Sequence, residues 1–390
     1  MPINFQQIQT AIQQFAQQAP AQAKLREQQL ATALSLLRLY ASEKEALQQK
    51  ILLATTTNPD LRCAIPTNEA IDASFSPNKS SEDVVLLAAD GSQIIPNQHL
   101  AVQFGVINIG SMRMQTGQIP STTIESELLY ADEILTEQGY LVGEELIALR
   151  RDYKERSQLL KAALQEEQQV ITLTDGPLEL YHEGRETPEY QHLLAEYLSI
   201  LTELAEKKIL TVGYVDKPRG DLVIRLLELT LLPEEKMNEA GKQRILMSVS
   251  DADLFASILL PTQRSVIFKL QSHNANRFIG PLSIHFFYLN IGTTGKPQIA
   301  RVEFPAWLLK QPESIDLLHY HILDQCQIMG VKAYPYILHR AHEIATVSFK
   351  EREHILGLLQ QTLLNQGLMP GEKSSKQFHK DSKGKTRYQS

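Results

Sequence analysis

Apolar and polar positions follow two different rhythms along this chain. In a Gln- and Ala-rich opening segment, residues 1–54, Leu30, Leu34, Leu37, Tyr40, Leu47 and Ile51 recur at three-, four- and seven-residue steps. That spacing predicts one or two long amphipathic helices with some coiled-coil character. It suits a helix packed on its own domain and a dimerisation or partner arm equally well. Residues 55–83 turn to Pro, Ser, Asn and Thr and read as a linker with one short helix.

From residue 84 the rhythm changes. VVLLAAD (84–90) is a continuous apolar run, the pattern of a buried strand, and residues 101–110 and 111–117 read as two antiparallel partners. A helix is expected over 124–136 and a longer one over 143–167, then a strand at VITLT, a helix over 188–207, a strand over 209–215 and a helix over 220–232. Further strands are expected at 264–270, 282–292 and 298–304, with closing helices at 311–329, 335–345 and 349–365. The order predicts an α/β fold: a mixed sheet flanked by helices, in which helix-bearing crossovers require parallel pairing. The domain would span 84–366, with a helical N-terminal extension and C-terminal helices. Residues 367–390 are polar, basic and poor in apolar residues, and read as a disordered tail.

Composition narrows the class. Apolar residues make up 43% of the 390 and charged residues 21%, as in a globular protein with a real core. A net charge of −7 argues against a basic nucleic-acid coat while leaving room for a local basic groove. The two cysteines, Cys63 and Cys326, supply no disulfide framework and no thiolate metal site, so a reducing, cytoplasmic setting is expected. No apolar stretch has the length of a membrane span, and the first residues lack the basic start and apolar block of a signal peptide. The absence of G-x-x-x-x-G-K-[ST] excludes a P-loop ATPase.

The candidate chemistry lies in acids that follow apolar strands. Asp90 follows VVLLAA, and Asp175 follows VITLT; each precedes a glycine. One Asp-Gly after a strand is ordinarily a hairpin turn. Two of them, the second followed by Pro177, fit better as acids gathered at one edge of a sheet. Neighbouring carboxylates repel unless a cation lies between them, and oxygen-only donors favour Mg²⁺ or Mn²⁺ over Zn²⁺. A third acid is expected from the 143–167 helix, whose core stripe reads as Leu146, Leu149, Tyr153, Leu160 and Leu164. Glu155 stands at the border of that stripe. Its ion pair with Arg151, four residues earlier, has the weaker orientation for a helix, and Glu125 and Glu127 compete for the third place. In AYPYILHRAHEIATVSFKERE (333–353), Pro335 can open a helix carrying His339 and His342 on one side. With no further His or Cys suitably placed, a zinc site is disfavoured, and a single histidine moving a proton or touching a metal or phosphate fits better. A partly buried histidine satisfied by a neighbour is the plainer alternative.

Taken in order, the Asp-Gly-Ser strand, the helix Glu, the Asp-Gly-Pro-Leu strand and the late Tyr-Pro…Ala-His helix resemble the NurA nuclease family over roughly residues 84–355. The resemblance implies an RNase H-like fold and a manganese-dependent (or magnesium-dependent) nuclease acting on DNA ends, with 5′→3′ exonuclease and single-strand endonuclease activity. It further implies a homodimer that works with a HerA-type hexameric translocase in end resection and repair. Carried onto this sequence, the family's metal-binding acids fall on Asp90, Glu155 and Asp175, and its late catalytic pair on Tyr334 and His342; a slip in register would select Tyr336 and His339. VGYVDKPRGD (212–221) points to Lys217 as a phosphate contact, and Arg264 is a second candidate. The long N-terminal arm and the basic tail depart from the family pattern. A catalytically silent DNA-end adaptor for a motor ATPase, or another RNase H-like endonuclease, is the alternative reading.

Overall fold

The computed structural model describes residues 4–78, 83–136, 138–180, 187–311 and 313–369. Of the expected tail, residues 370–390 fall outside them. Two helices come first, α1 (Phe5–Leu39) and α2 (Lys44–Thr57), followed by short strands β1 (Cys63–Pro66) and β2 (Ser74–Phe75). Then come β3 (Val84–Ile94), β4 (Gly105–Gln115), β5 (Ser121–Leu129), α3 (Glu144–Ala163), β6 (Gln169–Asp175), α4 (Pro188–Glu206), β7 (Leu210–Val215) and α5 (Leu222–Thr230). The remainder is α6 (Asp251–Ala256), β8 (Arg264–Ser265), β9 (Phe268–Gln271), β10 (Ile284–Asn290), β11 (Ile299–Pro305), α7 (Ser314–Ile328), α8 (Tyr336–Ala345) and α9 (Phe349–Asn365).

These elements divide into two compact units. One comprises Met1–Ser81, Gly176–Glu179 and Val212–Tyr334. Its strands run in the order β1-β9-β10-β11-β7, with β8 also paired to β10 and β2 to β8. The core is aromatic: Phe255 stacks on Tyr288 at 4.6 Å between ring centroids, and Phe268 on Phe286 at 5.7 Å. Helix α5 gains its N-terminal cap from a distance. The buried Asp251 carboxylate accepts the amides of Val223 and Ile224 and the hydroxyl of Tyr288, satisfying donors that a helix start leaves free. Residues buried from α1 are Ala33, Leu36 and Leu37, all in its last two turns, whereas Phe5, Ile12 and Phe15 are exposed.

The other unit comprises Glu82–Asp175, Leu180–Thr211 and Pro335–Ser390. Here β4 pairs antiparallel with both β3 and β5, and β6 pairs parallel with β3 on its far side. An antiparallel three-strand meander joined through a helix to a parallel fourth strand is the RNase H-like arrangement. Helix α3 packs on β3 and β4 and against α4, while α8 packs on β3 and β4.

Several expectations change. The segment read as two strands over 101–117 is the single strand β4. The expected helix over 124–136 is strand β5 followed by one 3₁₀ turn. Most of β5 is exposed, so it carries no apolar alternation to betray it; pairing with β4, aided by Thr122, Thr123 and Ile124, decides the matter. Strands β1 and β2, within the segment read as linker, pair with β9 and β8, whose residues lie about two hundred positions later, beyond the reach of any local pattern. Finally, β3 does not end at Asp90. It runs on to Ile94, paired to β4 throughout.

Candidate active site

Asp90 sits where β3 loses one neighbour and keeps the other. On one side it remains paired to Gly110 of β4; on the other, the parallel ladder with β6 closes at Ala89↔Thr174. Asp175 is the next residue of β6, so the two acids occupy equivalent positions on adjacent parallel strands, one step past the last pair, where the backbones lie about 4.8 Å apart. Asp90 is largely buried and Asp175 is exposed.

Successive side chains of a strand face opposite sides of the sheet. Asp90 and Ser92 face α8. The Ser92 hydroxyl donates to the Ala345 carbonyl at 2.6 Å, the Asn108 amide donates to the same oxygen at 2.7 Å, and the Val347 amide donates back to Ser92 at 3.2 Å. Gly110 lets the helix come this close: a Cβ there would stand 2.5 Å from the Ala345 nitrogen and 2.8 Å from the Ala341 carbonyl. So anchored, α8 delivers His342, whose Nδ1 lies 2.6 Å from Asp90 Oδ2. Facing a carboxylate, Nδ1 is the donor of this bond, which leaves Nε2 outside it on a ring that is 62% exposed. The other Asp90 oxygen accepts the Gly91 amide at 2.8 Å.

Gly91 faces the opposite side, toward α3. A Cβ at Gly91 would meet Glu155 Oε1 at 2.6 Å and the Arg151 side chain at 2.5 Å, so the missing side chain is what admits both. Glu155 is 6% exposed. Burial, and then the neighbouring Asp152 carboxylate, hold it well above the ordinary carboxylate range; Arg151 opposes this and Asp90 adds to it. The Arg151 guanidinium bonds Asp152 at 2.8 Å and stands 3.3 Å from Glu155, with its own charge favoured by both and by Asp90. The ion pair that the helix orientation disfavoured is therefore formed, because the sheet presses both side chains together. The expected core stripe is borne out at Leu149 and Leu160 but not at Leu164, which is exposed; Ile147, Ala148, Glu155, Leu159 and Ala163 are buried too, which puts Glu155 inside the buried face. Arg156, also buried, donates to Thr174 Oγ1 beside Asp175.

A family model for the NurA domain matches residues 84–347. The chain belongs to the NurA family of nucleases. Among solved structures it is similar to the NurA nuclease from Sulfolobus solfataricus, at 15% identity and a TM-score of 0.48, over 84% of this chain and 96% of that one. It is also similar to the catalytic domain of human endonuclease V, at 14% identity and a TM-score of 0.32, over 81% and 98%, and to Marinitoga piezophila Argonaute, at 9% and 0.30, over 68% and 30%. Likeness of that degree carries no argument about chemistry. No curated protein matches the sequence.

Within the NurA domain, Asp90, Glu155, Asp175 and His342 all belong to the same unit. Tyr334, Lys217 and Arg264 belong to the other. Tyr334 packs edge-to-face on Tyr214, centroids 5.4 Å apart. Lys217, in a left-handed turn at φ 43°, is exposed, its ammonium 3.7 Å from the Asp216 carboxylate. Arg264 is buried, its guanidinium 4.3 Å over the Phe75 ring and donating to the Ser265 carbonyl, so to touch a phosphate it would have to leave that packing. His339 pairs with Glu343 on the exposed side of α8, and Glu125 and Glu127 pair with Lys161 and Lys154.

Among the described residues no three metal-ligating side chains stand close enough to cage an ion by themselves. The donor set nevertheless suits a hard cation. Mg²⁺-like ions are ordinarily held by one or two carboxylates together with substrate phosphate and water, not by a closed protein cage. Asp90 and Glu155 offer that pair, brought to neighbouring positions of β3 by His342 on one side and the missing Gly91 side chain on the other. Sequence reading missed Ser92, Asn108 and Gly110, the residues that dock α8. Only the serine beside Asp-Gly gave a local signal.

Proposed function

We propose that this chain is a divalent-metal-dependent deoxyribonuclease that hydrolyses phosphodiester bonds at DNA ends, by 5′→3′ exonucleolytic and single-strand endonucleolytic cleavage. We take Mn²⁺, or Mg²⁺, as its ion, a homodimer as its working form, and a HerA-type hexameric translocase as its partner in end resection. The observation that carries this is the placement of Asp90. One carboxylate is held by a histidine from α8 and lies beside a buried glutamate from α3, at the strand position next to a third acid.

A bound ion would supply Lewis acidity to the scissile phosphate and make a coordinated water a better nucleophile. Asp90 and Glu155 would hold it, with Asp175 completing the edge. Arg151 must then release Glu155, and it keeps Asp152 as an alternative partner. His342, fixed in one tautomer by Asp90, presents Nε2 to accept or return a proton near the attacked phosphate.

The test is cleavage of end-labelled single- and double-stranded DNA with Mn²⁺ or Mg²⁺, with and without the translocase. Asp90→Asn should abolish cleavage while thermal unfolding stays close to that of the wild type. Near-normal cleavage by that variant would remove Asp90 from the reaction, and inert wild-type protein would favour the silent adaptor.

A further inference from the structure

A cleft of about 690 Å³ opens where β3 ends and α9 begins. It lies within the same unit as Asp90 and His342, one residue beyond the Ser92–Val347 bond that anchors α8. Its lining combines three kinds of group. Phe349, the first residue of α9, is 64% exposed on the cleft wall. Its backbone is fixed by a capping box: the Ser348 amide donates to the Glu351 carboxylate at 2.7 Å, and the Glu351 amide donates to the Ser348 hydroxyl oxygen at 3.3 Å. Arg352, three residues on and thus on the same side of the helix, makes no ion pair among the described residues. Across the cleft, Asn97 and Gln93 bring amide groups, and Gln93 Oε1 is buried without a hydrogen-bond partner among the described residues. His99 borders the same opening.

We propose that this cleft is a single-strand nucleotide subsite of the nuclease. An unpaired base would stack on Phe349, its edge read by Gln93 and Asn97, and its phosphate would meet Arg352. The proposal rests on the nuclease reading and deepens it. Stacking on an exposed ring is open to any base but requires that one face be free, so the subsite would take unpaired strand and refuse intact duplex. The side-chain amides of Gln93 and Asn97 give the base edge both donor and acceptor chemistry. Because Val347 and Ser92 tie the cleft wall to α8, a nucleotide held there lies in fixed register with His342.

The experiment measures fluorescence anisotropy of a fluorescein-labelled short oligothymidylate, and of the same backbone made abasic, with EDTA present so that nothing is cut. Phe349→Ala should weaken oligothymidylate binding roughly 5- to 100-fold and leave abasic binding as in the wild type, and Phe349→Trp should restore the difference. Arg352→Gln should lower the slope of log affinity against log salt by about 0.7. Equal affinity of wild type and Phe349→Ala for oligothymidylate, or an equal loss on both oligomers, overturns the subsite. If wild-type protein meanwhile cleaves DNA with Mn²⁺, only the subsite falls. If base-dependent binding holds but nothing is cleaved, the cleft stands as a single-strand site and the nuclease reading falls.

Discussion

Gly110→Ala tests whether the site is assembled by close approach of a helix to a strand. The added methyl carbon would lie 2.5 Å from the Ala345 nitrogen, 2.8 Å from the Ala341 oxygen and 2.9 Å from the Ile344 carbonyl carbon. All three are backbone atoms, so no side-chain rotation relieves the clash. Ordinary contact begins near 3.5 Å, which requires α8 to withdraw by about 1 Å. Overpacking of that kind costs about 1–3 kcal/mol. The functional cost should be larger. The 2.6 Å bond between His342 and Asp90, and the bonds of Ser92 and Asn108 to Ala345, would stretch beyond hydrogen-bond range together. A misplacement of about 1 Å in a reacting group lowers rates by about 100-fold.

The assay is the initial rate on end-labelled single-stranded DNA with Mn²⁺, alongside thermal unfolding, for Gly110→Ala, His342→Ala and the double variant. If the glycine acts by positioning the histidine, adding Gly110→Ala to His342→Ala should lower the melting temperature without slowing cleavage further. Wild-type cleavage by Gly110→Ala would show that helix docking does not govern the site. A further rate loss in the double variant would show that the glycine acts by another route.

Three further outcomes follow from burial. Glu155 has a folded-state pKa raised above its unfolded value, so the stability it contributes is full at acidic pH and lost as pH rises from 4.5 through the raised value. Glu155→Gln should therefore gain on the wild type in melting temperature as pH climbs through that window without metal, and lose cleavage; a pH-independent difference would contradict the buried, like-charged setting. Asp251→Ala strands two helix-start amides and the Tyr288 hydroxyl in the core and should cost about 3 kcal/mol or more in denaturant unfolding, an expectation that a loss below about 1 kcal/mol would defeat. Burial pushes the thiols of Cys63 and Cys326 up to about 12, so Ellman's reagent should leave both untouched in native protein and modify both in denaturant; rapid native labelling would show that one of these regions opens.

How much of this was legible in the chain depended on whether the deciding interaction was local. Strands such as β6 and β10 announced themselves because both their faces are buried, and α4 because its apolar residues recur on one stripe. Strand β5 was read as a helix because an exposed edge strand owes its form to its neighbour. The sequence singles out Asp90 and Asp175 by the apolar runs before them, and Glu155 with the help of family resemblance, and all three lie in one unit of the fold. It does not single out the residues that set their surroundings. Gly110 and Asn108 matter through a helix more than two hundred residues later, and Arg151 matters because the sheet closes over an ion pair that an isolated helix would hold weakly.

The Asp-Gly-Ser stretch shows most plainly how the local reading misled. Asp-Gly-Ser after an apolar run looks like the end of a strand, yet all three residues lie inside β3, paired to β4. Their order is a two-face device. Asp90 and Ser92 project to the side where α8 lies, one taking His342 and the other the helix terminus, while the residue between them projects to the side where α3 lies. Any side chain at that middle position would strike the Glu155 carboxylate and the Arg151 stem, so only glycine lets an acid from the far face approach. A turn would also use glycine, but for its backbone freedom; here Gly91 has no positive φ, and what matters is the absent side chain. The same three letters thus serve a strand interior as readily as a turn, and the choice is made by β4, which continues beside them where β6 stops.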